Sequence, residues 1–112
     1  MSKRSSVILL EDIGLALAKI ARYVAGMDRQ AFMASEITID AVVRNLEVIG
    51  EAVKQLPDEF KAQHSSLPWA QMAGLRNRIV HDYAGLDLEI IWEIVLRSLP
   101  ELREQLVAIR NI

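Results

Sequence analysis

The segment from Arg76 to Tyr83 holds most of the side chains in this chain that could carry out chemistry. Its eight residues, RNRIVHDY, include two arginines, an amide, a histidine, an acid and a tyrosine, and only Ile79 and Val80 are apolar. The surrounding chain has regular apolar stripes, and a polar cluster that interrupts such a pattern is where function is expected. An imidazole that titrates near neutral pH, fixed positive charge and a phenol suit a metal-free attack on a phosphodiester.

Arg76 and His81 are the candidate catalytic pair for that chemistry. His81 would take the 2′-hydroxyl proton of RNA or protonate the leaving oxygen. Arg76 would hold the phosphate and stabilise the charge that develops on it. Asn77, Arg78 and Asp82 are assigned supporting roles. No metal is expected, because no second carboxylate lies near Asp82 to complete a typical site.

The spacing of this pair leaves its geometry open. On one straight helix, Asn77 and His81 would share a face, but Arg76 and His81 would be rotated by about 140° around the axis. Both side chains can reach the same phosphate in one of two ways. Either the helix ends near His81, as Gly85 suggests, or a second chain completes the site across a two-fold axis. By spacing alone, an arginine and a histidine that merely cap a helix end explain the pattern equally well.

A second charged group lies earlier in the chain, at Arg44, Glu47 and Glu51. These residues are three and four positions apart and would be neighbours on a helix. The simplest interpretation is an exposed charged face. The alternative is that they turn inward and line the same cleft as the polar cluster.

Composition restricts the class of protein. The chain has 112 residues, no cysteine and a formal net charge of −2, which predicts a single domain over 1–112 without disulfides or zinc fingers. No apolar run approaches the roughly 20 residues that span a membrane, and the run from Val7 to Leu10 is too short for a signal peptide. We therefore expect a cytoplasmic protein with no membrane contact and no DNA partner, whose RNA contacts are confined to a site.

Apolar residues at alternating steps of three and four predict three long helices. Their apolar stripes run at about Leu10–Ala25, Ile39–Leu56 and Trp92–Ile109. Shorter helical segments are expected after Asp28, at 58–64 and from Pro68. Candidate capping and breaking residues are Ser35 or Thr38 and Asp87 at helix starts, Gly26 and Pro57 at helix ends, and Pro100 as a kink or split. The chain is therefore predicted to be all-α, an antiparallel up-and-down bundle of about four to five helices.

Some apolar residues fall outside the main apolar stripes of the predicted helices and form a surplus. We expect some of this surplus to pack against a second copy in a homodimer. The surplus consists of Ile8, Val43, Ile90, Ile94 and Leu96.

Three stretches together resemble the HepT-like branch of the HEPN superfamily. They are Asp40–Ala52, Leu67–Trp69 leading into Arg76–Tyr83, and Trp92 followed by Leu99–Leu102. The family motif is an arginine, a polar residue, three to five others, a histidine, any residue and a tyrosine. It is intact here at Arg76, Asn77, His81 and Tyr83.

The resemblance implies a homodimeric, metal-independent endoribonuclease that needs no cofactor, with Arg76 and His81 of both chains lining one cleft. It also implies a toxin, with tRNA among the candidate targets, whose partner is a minimal nucleotidyltransferase antitoxin that transfers AMP from ATP onto Tyr83. The rival interpretation is a catalytically silent helical partner of that nucleotidyltransferase.

Overall fold

Helices make up nearly all of the computed structural model, which describes residues 5–81 and 85–110, with only the backbone described at Val80, His81 and Arg110. The elements in chain order are α1 (Ser6–Tyr23), α2 (Arg29–Met33), α3 (Glu36–Gln55), α4 (Asp58–Gln63), α5 (Trp69–Ala73), α6 (Leu75–Ile79), β1 (Val80–His81), β2 (Gly85–Leu86), α7 (Leu88–Glu93), a π-helical segment (Ile94–Ser98) and α8 (Leu99–Arg110).

Short polar side chains set where the helices begin. The Ser5 hydroxyl accepts the Ile8 N–H at 3.2 Å, so α1 starts at Ser6 rather than near Leu10. Ser35, and not Thr38, caps α3. Asp28 and Asp87 cap α2 and α7 as predicted. Such caps satisfy an N–H that has no partner inside the helix, and each is typically worth about 1 kcal/mol.

The core forms where α1 packs along α3 and also contacts α8. The predicted stripes point into it: every stripe position of α3 is buried, and the fully buried side chains include Ile13, Val42, Leu46, Ile49 and Leu106. Burying one such side chain contributes about 1.5–3 kcal/mol. The all-α prediction is confirmed, and the buried apolar residues form one contiguous cluster.

Both tryptophans pack into this bundle. The Trp69 indole N–H donates to the backbone carbonyls of Lys61 and His64, at 3.1 and 2.9 Å, which joins α4 to the start of α5. The Trp92 ring lies 5.1 Å from the Phe32 ring, between α7 and α2. These contacts leave little of either indole free to stack on a base.

The last long helix is interrupted just before Pro100. Proline lacks an N–H and its ring clashes with the carbonyl four residues earlier. The wider π-helical turn over Ile94–Ser98 accommodates this, with the Leu99 N–H bonded to the Ile94 carbonyl. Pro100 therefore does not split the chain into two separate helices, because residues 88–110 stay helical and the irregularity takes the form of a π-helical segment.

The surplus apolar residues do not all lie on the surface. Ile94 is fully buried, and Val43 and Ile90 are partly buried against the core. Ile8 and Leu96 are exposed, as predicted. No helix in residues 5–81 or 85–110 is long and apolar enough to cross a membrane.

Candidate active site

The arginines of the polar cluster lie on α6, a short helix with one buried and one exposed side. Leu75 and Ile79, four residues apart, are buried in the core. Arg76, Asn77 and Arg78 between them are exposed. The two apolar residues anchor the helix and hold the polar residues toward solvent, where a substrate could reach them.

A break at Gly74 separates α6 from α5, where one continuous helix was predicted. The carbonyl oxygens of Met72 and Ala73 at this break lie 3.4 and 3.5 Å from the position that a Cβ on Gly50 would occupy. Gly50 therefore lies next to the end of α5, and the absence of a side chain on this mid-helix glycine permits the close approach of the two helices.

The helix ends at Ile79, before His81, as the first of the two predicted arrangements requires. The chain then forms a two-residue antiparallel ladder that the sequence did not predict, with Val80 opposite Leu86 and His81 opposite Gly85. A further bond, from the Asp87 N–H to the Ile79 carbonyl at 2.7 Å, extends the pairing. Asn77 and His81 therefore do not share a helix face.

Asp82 and Tyr83 lie outside the described residues, as does the His81 side chain. The catalytic role of His81, the supporting role of Asp82 and the modification of Tyr83 accordingly stay predictions. The described backbone does establish that His81 belongs to the ladder and not to α6.

A cleft of about 440 Å³ lies between α1, α3 and the α5–α6 segment. Arg76 lines it together with Arg44, Glu47 and Glu51 of α3. The structure thus brings the second charged group of the sequence beside one of the two candidate catalytic residues. Asn77 and Arg78 are not among the lining residues.

The cleft carries charge of both signs. Lys54 and Asp12 also line it, and Lys54 pairs with the Glu51 carboxylate at 3.4 Å on the exposed side, a contact of the kind that contributes under about 1 kcal/mol. The guanidinium groups of Arg44 and Arg76 make no hydrogen bond or ion pair within residues 5–81 and 85–110. Both are therefore available to an anionic ligand.

Sequence reasoning missed Asp12 as a cleft residue. It lies on α1 three positions after the buried Leu9, which also lines the cleft, and helical spacing could have placed the two side by side. In the described part of the chain, no three or more histidine, aspartate or glutamate side chains are grouped to hold a metal ion.

The helical bundle, with an arginine-bearing helix that leads into a histidine-bearing ladder, defines the class of protein. The family described as "Ribonuclease HepT-like" matches residues 13–109, and the chain belongs to this HepT-like family of the HEPN superfamily.

Relatives match over most of their length. A protein of Caldanaerobacter subterraneus subsp. tengcongensis, provisionally named an RNase, is 45% identical over 82 residues, which is 73% of each chain. A Thermococcus cleftensis protein named "Probable ribonuclease HepT" is 36% identical over 97% of this chain and 99% of its own. A Methanocaldococcus jannaschii protein, also provisionally named an RNase, is 40% identical over 89% of this chain and 83% of its own. No solved structure matches.

Proposed function

We propose that the protein is a metal-independent endoribonuclease whose site combines Arg76 and His81. The observation that carries the proposal is the free guanidinium of Arg76 at a cleft immediately before the ladder that contains His81. Family membership and the names of the relatives support RNA as the substrate.

The reaction would be an internal transesterification. A base removes the proton of a 2′-hydroxyl, the 2′ oxygen bonds to phosphorus, and the bond from phosphorus to the 5′ oxygen breaks. An acid protonates the leaving 5′ oxygen, so the products are a 2′,3′-cyclic phosphate and a 5′-hydroxyl. His81 suits either proton transfer, and Arg76 would stabilise the extra negative charge on the phosphorane.

Two chains would supply both proton-transfer groups. If a homodimer places Arg76 and His81 of both chains in one cleft, one imidazole acts as base and the other as acid. Ile8 and Leu96, which are 41% and 51% exposed, are apolar surface of the kind that a second copy would cover.

The α3 residues Arg44, Glu47 and Glu51 would line the path of the RNA beside Arg76. Arg44 offers a second guanidinium for a neighbouring phosphate. Asn77, Arg78 and Asp82 would orient the substrate or the imidazole.

We further propose that the enzyme is a cytoplasmic toxin, with tRNA as a candidate target, and that a minimal nucleotidyltransferase antitoxin silences it. In that step the Tyr83 oxygen attacks the α-phosphorus of ATP and pyrophosphate leaves. The AMP group adds bulk and negative charge two residues from His81, and that charge would compete with the RNA phosphate. The support is the intact motif at Arg76, Asn77, His81 and Tyr83 in a family member.

The test uses protein in which mass spectrometry shows Tyr83 to be unmodified. This protein is incubated with total RNA in excess EDTA. Wild type should cleave, while His81→Ala and Arg76→Ala should lose at least about 100-fold in rate, as loss of a proton-transfer group or a charge-stabilising group does. The matched controls are His64→Ala and Arg103→Ala, which should cleave normally.

Full activity in His81→Ala would exclude the proposed mechanism. Absence of cleavage by wild type, together with stable binding of a nucleotidyltransferase, would instead support the silent helical partner.

A further inference from the structure

The backbone of Gly85 has a conformation that other residues rarely adopt. Its φ is +82°, in the left-handed region. An added Cβ would contact nothing within 4 Å, so the cost of a side chain there comes from the backbone and not from crowding. That cost applies to most L residues and is smallest for asparagine.

Gly85 also lies directly opposite His81 in the ladder. The only other described pairing in the ladder joins Val80 and Leu86. A two-stranded ladder this short is marginally stable by itself. Strain at Gly85 should therefore open the pairing to His81 before it affects the helices.

The helices on either side do not depend on that pairing. Ile79 is fully buried at the end of α6, and Ile91 is fully buried in α7. Asp87 caps α7 with its side chain and bonds to the Ile79 carbonyl through its N–H. The bundle can therefore stay folded while the end of the ladder changes.

We infer that Gly85 is a positioning residue for the reaction. Its positive φ permits the ladder, and the ladder fixes the backbone that carries the His81 imidazole relative to Arg76 on α6. The kinetic part of this inference rests on the proposed ribonuclease function, while the structural part can be measured without RNA.

The chain contains a matched control for backbone strain. Gly26, between α1 and α2, has a φ of +77° and also has nothing within 4 Å of an added Cβ. Gly26→Ala imposes the same kind of strain in a different connection. The comparison separates a loss of stability from a displaced histidine.

The experiment compares full-length wild type, Gly85→Ala, Gly85→Asn and Gly26→Ala, each with its fold checked by circular dichroism. The chain has two histidines, so the imidazole NMR spectrum contains His81 and an internal reference, His64. In Gly85→Ala the His81 signals should move and those of His64 should not. Gly85→Asn should restore them, because asparagine tolerates positive φ.

Cleavage of RNA gives the second measurement. Gly85→Ala should lower kcat by about tenfold, in line with the usual penalty of the left-handed conformation, with KM changed less than about twofold. Gly26→Ala should keep the wild-type kcat, and Gly85→Asn should recover most of it.

Unmoved His81 signals in Gly85→Ala, or equal losses of kcat in the two alanine variants, would overturn the inference. If wild-type protein does not cleave RNA, the proposed function fails, and the His81 signals alone decide whether Gly85 positions that residue.

Discussion

At the scale of single residues, a few side chains carry the proposed chemistry and others hold them in place. Arg76 is exposed at the cleft because Leu75 and Ile79 are buried on the other side of α6. The helix ends at Ile79, its last buried residue, and the ladder begins at Val80. Arg76 and His81 are thus close in sequence but belong to different elements, which allows them to approach one phosphate from different directions.

The proposed switch can be tested at the single atom that would accept AMP. Tyr83→Phe removes the phenolic oxygen and keeps the ring. With ATP and the nucleotidyltransferase, this variant should gain no AMP mass and should keep cleaving RNA. The control is Tyr23→Phe, the other tyrosine of the chain, which should be modified and silenced like wild type. Silencing of Tyr83→Phe would show that the switch lies elsewhere.

At the scale of elements, the position of α6 depends on how closely α5 approaches α3. Gly50 permits that approach, with the carbonyls of Met72 and Ala73 over it. A methyl group at 3.4–3.5 Å makes ordinary contact with these oxygens. A larger side chain would have to push α5 away, and α6 with Arg76 would follow because only Gly74 separates the two helices.

Two substitutions of Gly50 test this packing. Gly50→Ala should leave the free energy of unfolding unchanged or raise it by up to about 1 kcal/mol, since alanine is the better helix former. Gly50→Val should lower it by about 1–3 kcal/mol through overpacking, and should weaken cleavage. Urea unfolding followed by circular dichroism measures both. Equal stability of the two variants would show that α5 does not limit the space.

At the scale of the whole molecule, the proposed homodimer requires a surface that a second copy would cover. The six large apolar residues that are exposed in the described chain are Val7, Ile8, Leu15, Ile37, Leu96 and Val107. They are distributed over α1, α3, the π-helical segment and α8. The surplus apolar residues that the structure leaves exposed, Ile8 and Leu96, are the ones we assign to the dimer.

Leu96→Glu tests the dimer by placing a carboxylate in the proposed contact. Burying that charge should weaken association by at least about 2 kcal/mol, or roughly 30-fold in Kd. Light scattering after size exclusion should then show the monomer mass. If the cleft needs both chains, RNA cleavage should fall in parallel.

Ile37→Glu is the matched control for this measurement. Ile37 is 84% exposed, at the start of α3, and its replacement should leave the dimer mass and the cleavage rate unchanged. A dimer that survives Leu96→Glu but not Ile37→Glu would place the contact on α3 instead.

Local chemistry along the chain is enough to predict much of this fold. The all-α class follows from apolar stripes with helical period. Ser35 and Asp87 at helix starts, Pro57 after α3 and the interruption before Pro100 follow from the hydrogen-bonding groups of single residues and their neighbours. The polar cluster at 76–83 stands out because it breaks the stripe.

Contacts between segments that are distant in the sequence could be determined only from the tertiary structure. The ladder of Val80–His81 with Gly85–Leu86 is too short to leave a periodic signal in the sequence, and it includes Gly85 with a positive φ. The shared cleft of Arg44 and Arg76 depends on how α6 lies against α3. Periodicity reports which face of one helix is apolar, but only packing decides which two faces meet.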